Sequence, residues 1–187
     1  MFKMKCDFMR VTNIRLYHVE RNQNMYEQYG RRESLEITGI PVHIGKDNPE
    51  ELENEVIAIA KEAKVQVNRQ PLKASDICAV HRLKDKKTTI VRVVNRKFAF
   101  QFLVNGKNLK DTKRYGPGKN VYINNSFCHE FKFLNFVIRK AKKDKLIHRY
   151  RIRGGVTSIQ MEDNGDWSEI GHVLDLENKG IPIPDRK

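Results

Sequence analysis

The clearest regularity in the chain is an alternation. From Ser34 to Ile40 (SLEITGI), Leu35 and Ile37 fall on one side while Glu36 and Thr38 fall on the other. Gly39 and Pro41 close the run, which predicts a half-buried strand. Asp47-Asn48-Pro49 then supplies a cap and a first-turn proline, with Glu50, Glu51 and Glu53 at the positive end of the helix dipole. The apolar stripe Leu52, Val56, Ile59 and Ala63 predicts the helix that follows. Ile77 to Leu83 and Thr88 to Val94 read as two strands around the charged turn Lys84 to Lys87. Asn95 caps a second helix reaching Asn105, with Phe98, Ala99, Phe102 and Leu103 apolar. A basic, glycine-containing loop (107–119) leads to a further strand over Asn120 to Asn124.

The order strand, helix, strand, strand, helix, strand is the split βαβ pattern, so residues 31–125 are expected to form an RRM-like (ferredoxin-like) domain. A small basic α+β domain is expected over 126–178. Glu130 to Lys145 reads as a helix with Leu134, Val137, Ile138 and Ala141 inward, and Leu146 to Arg153 alternates as a strand. Val156 to Met161 and Trp167 to Ile170 flank Asn164-Gly165, a hairpin turn signal. A short last helix contains Val173, Leu174 and Leu176. Residues 1–30 read as a helical arm, a coiled-coil remnant with the poor heptad Val11, Ile14, His18, Met25. The tail, 179–187, with two prolines, is expected to be disordered. The fold class is α+β throughout, with an N-terminal helical stub.

Charge sharpens this picture. The chain carries 36 Lys and Arg against 23 Asp and Glu. Residues 77–155 hold 21 of the basic side chains and only four of the acidic ones. Such local concentration favours one basic binding surface over bland solubilising charge. Three scattered cysteines (Cys6, Cys78, Cys128) suit a reducing compartment, and no apolar run approaches the ~20 residues of a membrane span. An intracellular protein is expected, in cytoplasmic ribonucleoprotein or in the nucleus, with no membrane partner.

The candidate contacts are polar and basic. Tyr122 offers a ring on the fourth strand. Arg139, Lys140, Lys142, Lys143 and Lys145 run along one helix, and Arg149, Arg151 and Arg153 follow at spacing two. Together they are expected to wall a groove. Lys113, Arg114 and Lys119 flank Gly116-Pro117-Gly118 and are expected to touch phosphate. For chemistry the chain offers little. Glu162, Asp163 and Asp166 surround a turn, Cys128-His129 are adjacent rather than spaced as ligands, and Cys78 and His81 are expected on opposite strand faces. No catalytic residue, metal or cofactor is expected.

Several blocks carry a family resemblance. Tyr29 to Pro41 (YGRRESLEITGIP) resembles the start of the RRM-like domain in first-open-reading-frame proteins of LINE-type retrotransposons. His81-Arg82-Leu83, Thr89 to Arg92, and the basic helix entered at Asn95-Arg96-Lys97 resemble the next blocks in order. Phe131 to Leu176 is similar to the C-terminal domain of baculovirus few-polyhedra (FP) proteins and FP-like transposon proteins. The resemblance implies a non-enzymatic binder of RNA and single-stranded DNA that chaperones strand exchange. It implies a cleft between the two domains, trimerisation through the coiled coil, and contacts from Arg31, Arg32, Arg82 and Arg92, with Arg96 and Lys97 beside them. The rival expectation is an FP-like assembly protein that acts through protein partners.

Overall fold

A computed structural model describes residues 2–46, 48–109, 112 and 114–185, the first seven by their backbone alone. It is a mixed α+β structure with an N-terminal helix and antiparallel sheets. The chain divides into two units, one of residues 31–126 and one combining residues 1–30 with 127–187.

The middle unit runs β1 (Ser34–Thr38), α2 (Pro49–Glu62), β2 (Gln66–Val67), β3 (Gln70–Pro71), β4 (Ile77–Arg82), β5 (Thr88–Val93), α3 (Arg96–Asn105) and β6 (Tyr122–Asn125), the N-terminal helix α1 (Phe2–Tyr29) belonging to the other unit. Its main sheet has the order β4-β5-β1-β6, antiparallel at every pairing. Leu35 and Ile37 of β1 and Val91 and Val93 of β5 bury one face against Val56 and Ile59 of α2 and Phe98 and Phe102 of α3. Both helices start on side-chain caps. Asn48 accepts from the Glu50 N–H at 3.0 Å ahead of Pro49, and Asn95 accepts from the Lys97 N–H at 2.9 Å. The expected cap contribution of Asp47 lies outside the described residues.

Two details depart from the pattern. The β2–β3 hairpin turns through Asn68 and Arg69, both at positive φ (52° and 63°), the geometry of a tight primed turn. Arginine in place of the usual glycine hides that turn in the sequence. The last strand begins at Tyr122, two residues later than expected, opposite Thr38 at the end of β1, and just past that end Gly39 (φ +97°) packs against Asn120. A Cβ at Gly39 would lie 2.2 Å from the Asn120 carbonyl oxygen, so only glycine fits there.

The other unit contains α1, α4 (His129–Lys143), β7 (Arg149–Arg153), β8 (Val156–Gln160), β9 (Trp167–Ile170) and α5 (Val173–Glu177). The sheet order is β7-β8-β9, antiparallel. Phe131, Leu134 and Ile138 of α4 form the core with Ile159, Ile170 and Leu176. A buried polar link fixes the helix on the sheet: the Thr157 hydroxyl donates to Asn135 Oδ1 at 2.7 Å.

Helix α1 does not form a separate arm: from Tyr17 onward it is docked on its own unit. Tyr17 and Arg21 donate to the Asp175 carboxylate, the latter at 3.1 Å, and Asn24 donates to the Gly171 carbonyl at 3.0 Å. Gln28 is fully buried and accepts the Cys128 N–H at 3.0 Å. This docking stripe is polar, at spacings of four, three and four, so a search for apolar periodicity passes over it. The tail is also corrected where it is described, Arg186 and Lys187 lying outside the described residues. Ile181 is 2% exposed, and its N–H donates to the Leu176 carbonyl at 3.1 Å, which closes the end of α5. An isoleucine at that position joins the core where the prolines alone signal disorder.

Asp175 is the hub of the α1 docking. Burial alone would raise its pKa, but hydrogen bonds from Tyr17 and the Gly171 N–H, with the Arg21 guanidinium, outweigh that and hold it below the ordinary carboxylate range.

Candidate nucleic-acid interface

Alternation along the four-stranded sheet leaves one face without a helix. Register aligns His81, Ile90, Glu36 and Asn124 across it, then Ala79, Arg92 and Ser34, then Thr88, Thr38 and Tyr122 at one end. His81, Arg92, Tyr122 and Asn124 are exposed, Tyr122 by 51%. Arg92 stands 3.9 Å from the Glu33 carboxylate, a loose surface pair that leaves its donors largely to solvent.

Arg82 does not join that face. A β-bulge between Ile77 and Ala79 inserts one residue and reverses the phase of the rest of β4. Arg82 therefore pairs with Thr89 on the helix side of the sheet. Its guanidinium donates to the carbonyls of Ile40 (3.2 Å), Pro41 (2.5 Å), Ile44 (2.9 Å) and Lys86 (3.4 Å). Burial lowers its pKa from the usual guanidinium value. The expected phosphate contact is thus a clamp on the loop after β1.

Arg114 is corrected in the same way. It donates to Glu55 at 2.6 Å and Glu62 at 3.0 Å, both on α2, and Tyr115 also donates to Glu55. The Glu55 hydrogen bond is the main reason its pKa is raised. Two carboxylates already satisfy this arginine, so it ties the 107–119 loop to α2. Lys113 lies outside the described residues, and Lys119 is exposed. Arg31 and Arg32 are half-buried in the turn before β1. Arg96 and Lys97 are exposed in the first turn of α3, two cations at the positive end of a helix with no acid there to offset them.

In the other unit, Arg149, Arg151 and Arg153 share one face of the sheet with Ser158, Gln160 and Trp167. Helix α4 packs on the opposite face, where Thr157 meets Asn135. Arg139, Lys140 and Lys143 are exposed on that helix, so they and the three arginines do not wall one groove. The arginines differ among themselves. Arg151 is half-buried with its guanidinium 4.0 Å from the Trp167 ring centroid, Arg149 is 4.0 Å from Asp163, and Arg153 is exposed. The Trp167 platform was missed because only the strand register brings it beside Arg151.

Among the described residues no group of three His, Cys, Asp or Glu side chains is arranged to hold a metal ion, and no helix is long and apolar enough to cross a membrane. No described protein family matches the chain, and no curated protein matches it as a relative.

Proposed function

We propose that this chain binds single-stranded RNA or DNA without chemistry, as a nucleic-acid chaperone of the kind encoded by LINE-type retroelements. An RRM-like reading of the middle unit is supported by its strand order, second, third, first, fourth, with both helices on one face. The observation that carries the functional reading is the other face of that sheet. It presents Arg92, His81, Asn124 and Tyr122 to solvent, within the segment that holds 21 basic and four acidic residues. Arginine serves such a face twice, since its planar fork pairs with phosphate and its flat surface stacks on bases. Arg96, Lys97, Lys119 and the exposed cations of the other unit add a sequence-independent attraction.

Fluorescence anisotropy with labelled single-stranded RNA, single-stranded DNA and duplex DNA tests the proposal. Single strands are expected to bind more tightly than duplex. Some six phosphate contacts give a log–log salt slope of about -4. A slope near zero, or no binding at low salt, overturns the reading.

A rival draws on one specific observation. Met9, Leu16, Val19 and Tyr26 of α1 are exposed large apolar side chains at heptad-compatible spacing. An FP-like assembly protein, acting through this stripe on itself or another protein, is the reading that stands if oligonucleotides do not bind.

A further inference from the structure

At one end of the open sheet face, the cross-strand row Thr88, Thr38, Tyr122 borders a cavity of about 530 Å³. That volume is within the roughly 300–1,000 Å³ of small-ligand sites. Its walls are held from behind. On one side, the 40–44 loop hangs by its carbonyls on the Arg82 guanidinium. On the other, the turn before β5 is closed by Asp85, which accepts from the N–H groups of Lys87 and Thr88 at 3.0 Å and from the Thr88 hydroxyl at 2.8 Å. Those bonds hold the Asp85 carboxyl below its usual pKa, the Thr88 N–H contributing most, and use most of its acceptor capacity internally. Besides Asp85, the opening is lined by the half-exposed ring of Tyr122, apolar Pro41 and Val42, the exposed Lys87, and Asn120, whose amide donates to the Tyr122 hydroxyl at 3.5 Å.

We propose that this corner receives a single unpaired nucleobase, stacked on Tyr122, with an adjoining phosphate drawn to Lys87. The inference rests on the nucleic-acid reading above and deepens it by naming where one base is held. An aromatic ring is sequence-tolerant because every base has a π-face, and the neighbouring Lys84 and Lys86 make the approach attractive to a polyanion. A base seated here is out of its duplex stack, so the corner itself selects single strands. The preset walls mean that little of the site must be ordered on binding.

The test uses the full chain with single-stranded RNA and DNA oligomers, intact or with one abasic residue at successive positions. Tyr122→Leu is expected to weaken binding of the intact oligomer by about five- to one-hundred-fold, while Tyr122→Phe retains it. One abasic position is expected to cost wild type a similar factor and to cost Tyr122→Leu almost nothing, since both changes remove the same stack. Unchanged melting of both variants establishes that folding is not the cause. If wild type binds the oligomers and Tyr122→Leu binds them equally well, the corner is refuted while the wider surface stands. If wild type binds no oligomer, both readings fail together and a protein ligand takes their place.

Discussion

Arg82 and Arg92 sit on adjacent antiparallel strands and project from opposite faces of the same sheet. One hands its donors to four backbone carbonyls, and the other faces solvent. Their alanine variants are therefore expected to separate stability from binding. Arg82→Ala leaves carbonyls of the 40–44 loop without their charged donor and is expected to destabilise the middle unit by about 1.5–3 kcal/mol, the range for a hydrogen bond to a charged group. Arg92→Ala is expected to leave the denaturation midpoint nearly unchanged and to lower single-strand affinity. Urea unfolding and anisotropy on the two variants check this, and the reverse assignment of effects would falsify the two roles.

Acid is expected to loosen the docking of α1. The folded pKa of Asp175 is depressed, so its stabilising contribution is complete above the unfolded carboxylate pKa of about 3.9 and is lost as pH falls through the lower folded value. Trp167, the sole tryptophan, lies in the same unit and reports on it. Urea midpoints from Trp167 fluorescence should fall as pH drops below about 4. Asp175→Asn is expected to be less stable at neutral pH and to show a flatter acid limb. A limb as steep as that of wild type would assign the acid sensitivity to another carboxylate.

Self-association, if the α1 stripe drives it, should depend on Leu16 and Val19. Deleting the helix is a poor test, because Tyr17, Arg21, Asn24 and Gln28 of the same helix bind the rest of their unit. The double variant Leu16→Glu, Val19→Glu is expected to shift the sedimentation coefficient to that of a monomer with unchanged Trp167-monitored stability. Oligomers of equal size in both proteins would place the contact elsewhere.

The core was legible in the sequence to the extent that local rules govern it. Leu35 and Ile37 alternate as half-buried strand residues should, and Asn48 and Asn95 cap the helices that their spacing announces. The candidate site was less legible because each error arose from something non-local. A single inserted residue in β4 turned Arg82 inward. Its effect cannot be read from ICAVHR, where Ile77 and Ala79 suggest one phase and Val80 the other. Arg114 looked available for phosphate because Glu55 and Glu62, its partners, lie more than fifty residues earlier. The arginines of β7 and the lysines of α4 are neighbours along the chain and are separated by the thickness of a sheet.

The pairing of α1 with residues 127–187 sets an order of events during synthesis. Residues 31–126 are contiguous and can complete their sheet as soon as β6 has emerged. The other unit cannot, since Cys128, Gly171 and Asp175, which receive α1, all follow β6 in the chain. Its unfilled polar stripe, Tyr17, Arg21, Asn24 and Gln28, thus waits through translation of the 100 to 158 residues that separate it from those partners, about 5–30 s at ordinary elongation rates. Over that interval the polar stripe of the nascent helix is open to a chaperone, or to the same helix on a neighbouring ribosome of the same message.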